Sequence, residues 1–167
     1  PTPSLDLISR LNLPKDAAII DVGAGDSYLV DKLLELGYSD ITVLDISLNA
    51  INRAKSRLGN KQHLIKWIVV DVTSFKPERK YDLWHDRAAF HFLTDSNDIK
   101  SYIHSLNEGL KSKASFLIAC FSPNGPLKCS GIEIKQYSKQ DLERVFGESF
   151  LLIESKYMDH YTPFDTK

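Results

Sequence analysis

Apolar runs alternate with amphipathic runs along nearly the whole chain, and the two periods predict different elements. Ala17 to Val22 is a largely apolar run of buried-strand type. A helix is predicted from about Ser27 to Leu36, carrying Leu29, Val30, Leu33, Leu34 and Leu36 and stopping at Gly37. Ile41 to Asp45 is the second strand. Ser47 can cap the following helix, in which Leu48, Ile51, Ala54 and Leu58 recur at helical spacing before Gly59. Ile65 to Val70 and Tyr81 to His85 read as the third and fourth strands, and Ser115 to Phe121 as the fifth. Between the last two, a longer helix runs from about Asp95 to Lys111, with Ile99, Tyr102, Ile103, Leu106 and Leu110 on one face. Ser138 opens a short helix with Asp141 in capping-box position, and Phe150 to Tyr157 reads as a sixth strand. Strands apolar on both faces and separated by helices imply a doubly wound, mostly parallel α/β sheet with helices on both faces.

Composition narrows the class. At 18.9 kDa the chain is expected to form a single domain over residues 1–167. Its 21 basic against 22 acidic residues offer no footprint for general nucleic-acid binding. The two cysteines, Cys120 and Cys129, make neither a disulfide framework nor a zinc pattern, and no metal site is expected. The longest apolar stretch, Phe116 to Phe121, is too short to span a bilayer. A cytoplasmic protein is expected. Without an initiator methionine, the chain reads as trimmed at its ends.

Ligands of doubly wound sheets bind outside the carboxyl ends of the strands, near a topological switch point. The first strand ends in Asp21-Val22-Gly23-Ala24-Gly25-Asp26-Ser27, where two glycines allow a sharp turn and close backbone approach. A plain tight strand–helix turn would also explain them. The second strand ends at Asp45, whose carboxylate can accept from both hydroxyls of an adenosine ribose. The third ends at Asp71, which can accept from an adenine amino group. Singly, each aspartate could be an acidic helix cap; jointly they favour a ligand.

The ordered segments AAIIDVGAGDS, VLDIS, VVDVT and YDLWHDRAAFHFL resemble the class I, Rossmann-like S-adenosylmethionine-dependent methyltransferases. The resemblance covers nearly the whole chain and is nearest to a group of small bacterial-type members with a WHDRA-x-FHFLT segment. It implies that Asp21, Gly23, Ala24 and Gly25 surround the methionine portion of S-adenosylmethionine, that Asp45 with Ile46 holds the ribose, and that Asp71 and Val72 contact the adenine. His85 and Asp86 fall where the family places the methionine moiety and the methyl-transfer face. Asp26 and Ser27 stand where many members continue with a third glycine. The family's lid segment before the first strand and its closing seventh strand are expected to be missing.

For the transfer step the expected residues are His85, Asp86 and Arg87: a base or cofactor contact, and an anchor for an acidic or polar substrate. The bland alternatives are a histidine bonded to a backbone carbonyl and an Asp86–Arg87 ion pair steadying the loop. His91 is read as structural, Trp84 as core, and Cys129 as a packing or substrate-loop residue; His160 could reach back over the site. The acceptor is expected to be a small molecule or a protein side chain. The absence of an N/D-P-P-Y/F segment after the fourth strand counts against amino-group methylation of adenine or glutamine. Two other functions compete. One is a non-catalytic cofactor-binding module. The other is a nicotinamide-dependent oxidoreductase, disfavoured because the third glycine of its G-x-G-x-x-G fingerprint falls on Tyr28.

Overall fold

The computed structural model describes residues 2–87 and 89–158. Five parallel strands form one sheet: β1 (Ala18–Val22), β2 (Asp40–Asp45), β3 (Ile65–Val69), β4 (Tyr81–Asp86) and β5 (Leu110–Ile118), in the order β3-β2-β1-β4-β5. The chain winds outward from β1 to β3, then crosses back to place β4 on the other side of β1. That reversal makes the carboxyl ends of β1 and β4 the switch point. Asp21 pairs in register with His85 there, and Val22 with Asp86.

Because side chains alternate along a strand, each strand feeds two separate cores. Ile19, Ile41, Val43 and Leu83 pack with Ile8, Leu29, Val30, Leu33 and Leu58 from α1 (Thr2–Arg10), α2 (Leu29–Glu35) and α3 (Leu48–Leu58). On the opposite face Ile20, Val22 and Trp84 pack with Ile99, Tyr102, Leu106 and Phe146 from α4 (Ser96–Gly109) and α5 (Lys139–Phe146). Local caps set the helix starts. The Ser47 hydroxyl accepts from the Ala50 amide at 3.2 Å, Asp95 accepts from the Asn97 amide at 2.7 Å, and Ser138 with Asp141 forms a full capping box. The Rossmann-like sheet read from the hydrophobic pattern is therefore the fold observed.

Ahead of Ile19, α1 docks with Ile8 fully buried. Three expectations are corrected. The fifth strand starts at Leu110 and ends at Ile118, because α4 runs straight into it. No strand forms over residues 150–157, which are exposed beyond Phe150, and Glu154 instead pairs with Arg10 of α1 at 2.8 Å. An apolar run favours extended backbone, but a strand also needs a ladder partner, and this run has none among the described residues. The segment holding Cys129 is a small antiparallel hairpin, β6 (Lys128–Cys129) with β7 (Ile132–Glu133), rather than a plain loop. His160 lies outside the described residues, as does Ala88 of the WHDRA segment.

Candidate cofactor and transfer site

The turn after β1 is shaped by two left-handed glycines, Gly23 at φ 64° and Gly25 at φ 51°. In that region any Cβ is strained against the following carbonyl. The turn is tied back onto the end of β2. The Gly23 amide donates to the Leu44 carbonyl at 2.8 Å, and the Gly25 amide donates to Asp45 Oδ2 at 2.6 Å. Asp45 Oδ1 accepts from the Ser47 amide at 2.7 Å. Asp45 is thus buried and pinned by one backbone donor on each oxygen. A carboxylate offers about four acceptor sites, so this anchoring leaves capacity on both oxygens. Ala24 is buried beneath the turn, among the residues of α2.

Ile46, directly after Asp45, is 67% exposed, while Val72 is buried. Asp71 is exposed and caps the single turn Val72–Ser74, its Oδ1 accepting from both the amide and the hydroxyl of Thr73. The local-cap reading of Asp71 is therefore realised, with Oδ2 outside that bond pair. Asp26 and Ser27, the residues in place of a third glycine, are also used locally. Asp26 makes a two-pronged ion pair with Arg53 at 2.7 Å, which holds its carboxyl below the usual range, and Ser27 accepts from the Leu29 amide at 3.1 Å. The Tyr28 ring turns outward beneath the Arg57 guanidinium, 4.3 Å from its centroid, and so does not intrude on helix–strand packing.

His85 and Asp86 are neighbours on β4 and therefore enter opposite faces of the sheet. His85 Nδ1 lies 2.7 Å from Asp21 Oδ1, and His85 Nε2 lies 2.9 Å from the Ser4 hydroxyl of α1. Both ring nitrogens are thus bonded to side chains, not to a backbone carbonyl. Asp21 Oδ2 is buried with no hydrogen-bond partner among the described residues. Asp86, 1% exposed, accepts from the Ala89 and Phe90 amides and from the Tyr102 hydroxyl. Burial pushes its carboxyl pKa up against the pull of those donors. Arg87, the next residue, is exposed. The expected transfer segment is split: one residue in each core and one at the surface.

His91 is buried between the rings of Phe92 and Phe121, with neither nitrogen bonded among the described residues, and burial lowers its pKa to about 4. Trp84 is core, its indole N–H donating to Tyr102. Cys120 is a free thiol whose pKa is pushed up by burial. Two polar participants escaped the sequence pattern. Tyr102 registers there only as an apolar position of α4, its hydroxyl being silent in a periodicity. Ser4 precedes the first recognisable motif altogether. The described residues contain no cluster of three or more potential metal ligands, and none of their helices is long and apolar enough to cross a membrane.

A five-stranded parallel sheet with a glycine turn and acidic strand ends at its switch point defines a Rossmann-like nucleotide-cofactor fold. The chain belongs to the methyltransferase-domain family, whose pattern it matches over residues 19–113, more than half its length. It is 36% identical over 93 residues to malonyl-[acyl-carrier protein] O-methyltransferase 1 of Ilyobacter polytropus, covering 55% of this chain and 34% of that protein. It is 29% identical over 155 residues to human EEF1A lysine methyltransferase 2, covering 88% of this chain and 59% of that protein. The chain thus spans about a third to three fifths of the length of these curated relatives. The glycopeptide N-methyltransferase MtfA, solved with S-adenosyl-L-methionine, superposes with a TM-score of 0.67 at 13% identity, over 86% of this chain and 80% of that one.

Proposed function

We propose that residues 1–167 form one methyltransferase domain that moves a methyl group from S-adenosylmethionine to a small molecule or a protein side chain. The observation that carries this reading is Asp45. Its carboxylate is held rigid by the Gly25 and Ser47 amides, one on each oxygen, while retaining acceptor capacity for a pair of vicinal hydroxyls. The rest of the strand-end surface is consistent with such a ligand. The φ values of Gly23 and Gly25 keep the turn bare of side chains, exposed Ile46 offers an apolar face beside the ribose position, and Asp71 with Val72 stands at the next strand end for the adenine. The residues present therefore fit the cofactor.

When bound, S-adenosylmethionine supplies the electrophilic methyl group, so this chain's task is binding and alignment. Asp21, Gly23, Ala24 and Gly25 hold the amino-acid end. His85 serves as a positioning group, since both its nitrogens are engaged. Asp86 holds the turn after β4 from inside the core, and exposed Arg87 is the member of the three open to an acidic acceptor. An acceptor whose nucleophile carries no surplus proton at neutral pH would need no base from this segment. The relatives are named as a malonyl-[acyl-carrier protein] O-methyltransferase and an EEF1A lysine methyltransferase, which supports a small-molecule or protein partner without choosing between them. A cytoplasmic location belongs to the same reading, supported by the two free cysteines.

A radiolabelled methyl-transfer screen over small metabolites, thiols, acyl carriers and protein extract tests the activity, with calorimetric titration of S-adenosylhomocysteine alongside. Label transfer together with binding supports it. Binding with no product on any acceptor would favour the non-catalytic module, and affinity for NAD in place of S-adenosylhomocysteine would favour the oxidoreductase.

A further inference from the structure

Asp21 is 2% exposed at the carboxyl end of β1, and its two oxygens are treated unequally. Oδ1 is bound by His85 Nδ1 at 2.7 Å, whereas Oδ2 is buried without a donor among the described residues. A buried carboxylate oxygen with no donor is costly, and the partner that relieves it best is a cationic N–H group. A carboxylate only accepts, so Nδ1 of His85 carries the proton of that bond. With a single proton on the ring, Nε2 is left to accept from the Ser4 hydroxyl 2.9 Å away. Ser4 and Ile8 are the buried residues of α1, one turn apart on its docking face. Seating α1 therefore places the hydroxyl, the hydroxyl sets the ring, and the ring sets the rotation of the Asp21 carboxylate.

We propose that Ser4 and His85 are positioning residues, forming with Asp21 a relay by which docked helix α1 presents Asp21 Oδ2 to the ammonium group of the cofactor's amino-acid end. The proposal rests on the cofactor reading above but goes beyond it, because it ties an N-terminal helix to recognition of one charged group. Asp21 and His85 are in register across the switch point, so the relay lies where the two halves of the sheet diverge to admit a ligand. Ser4 touches no reacting atom; it acts through His85.

Two ligands separate the relay from general binding. S-adenosylhomocysteine carries the ammonium, and 5′-methylthioadenosine keeps the nucleoside and sulfur but lacks the amino-acid end. In calorimetric titrations Ser4→Ala should weaken S-adenosylhomocysteine about fivefold, the worth of one ordinary hydrogen bond, and leave methylthioadenosine unchanged. Ser4→Thr, which keeps the hydroxyl, should restore the difference. Asp21→Asn should lower affinity for S-adenosylhomocysteine about tenfold or more, again without touching methylthioadenosine. Imidazole nitrogen NMR of the unliganded protein should show His85 protonated at Nδ1, with the Nε2 signal moving in Ser4→Ala. Equal weakening of both ligands by Ser4→Ala, no weakening of either, or a His85 ring insensitive to Ser4 would each overturn the relay while leaving the cofactor reading standing. Failure of the wild-type protein to bind either ligand would remove the cofactor reading and the relay together.

Discussion

The Tyr102 hydroxyl donates to Asp86 Oδ2 at 2.7 Å inside an apolar layer, linking the middle of α4 to the last residue of β4. Tyr102 in turn accepts from the Trp84 indole at 3.2 Å, and the Ala89 and Phe90 amides close on the same carboxylate. The acid thus gathers a strand, a helix and the following turn around one buried carboxyl group. Tyr102→Phe removes a donor while leaving the carboxylate buried. Unfolding in urea should show a loss of about 1–3 kcal/mol, with methyl transfer per folded molecule preserved. A variant as stable as the parent would mean that the hydroxyl is dispensable.

Gly109 closes α4 against that same cluster. A Cβ there would lie 2.7 Å from Cζ3 of Trp84 and 3.0 Å from Cγ of Pro77. Trp84 has no room to retreat, being fully buried among Phe75, Tyr81 and Tyr102. A helical glycine is ordinarily improved by alanine by roughly 0.5–1 kcal/mol, but the clash should reverse the sign here. Gly109→Ala is expected to destabilise by about 1–3 kcal/mol and to shift the near-ultraviolet tryptophan signal. A raised melting temperature would refute the clash.

His91 makes acid stability measurable. Burial holds its folded pKa at about 4, below the ordinary histidine value of 6.5, so between those values the unfolded chain binds the extra proton. Stability from this residue is complete above pH 6.5 and is lost as pH falls towards 4, by up to about 3 kcal/mol. The carboxyls held low by ion pairs and hydrogen bonds, Asp26, Asp82 and Asp141, act in the same direction but at lower pH. His91→Phe should therefore flatten urea-derived stability between pH 7 and 4.5. An unchanged slope would assign the acid sensitivity elsewhere.

Asp45→Asn tests the ribose site with less collateral damage than alanine, since the amide oxygen can still accept from one of the two backbone donors. Losing charge-assisted bonds of roughly 1.5–3 kcal/mol should weaken S-adenosylhomocysteine and methylthioadenosine alike by more than tenfold. This pattern differs from that expected of Asp21→Asn, which should spare methylthioadenosine. Unchanged affinity for both would place the nucleoside somewhere else.

Arg87→Met concerns the acceptor. Arg87 is exposed beside a buried strand end, so its removal should leave melting temperature and cofactor affinity unchanged. For an acidic acceptor, KM should rise about tenfold with kcat nearly preserved, the signature of lost uniform binding. A fall in kcat at constant KM would instead place the guanidinium at the transfer step.

The sequence by itself determined the sheet, its helices and the positions of the strand-end acids. Period-2 and period-3.6 hydrophobicity, caps such as Ser47 and Ser138, and the glycines at 23 and 25 are local signals, written within a few residues of the element they specify. Only the tertiary structure decided what those acids touch. His85 and Asp86 read as one catalytic segment along the chain, yet β alternation sends one to Ser4 and Asp21 and the other to Tyr102, in separate cores. The partners Ser4 and Tyr102 stand 81 and 16 residues away, in helices whose apolar pattern says which face docks but not which hydroxyl it carries inward. The run from Phe150 to Tyr157 shows the same divide. Its extended character is local, but whether it joins the sheet depends on a neighbouring edge, and the ladder among the described residues ends at β5. Hydrophobic periodicity reports burial, whereas hydrogen-bond partnership is a property of two distant places brought together.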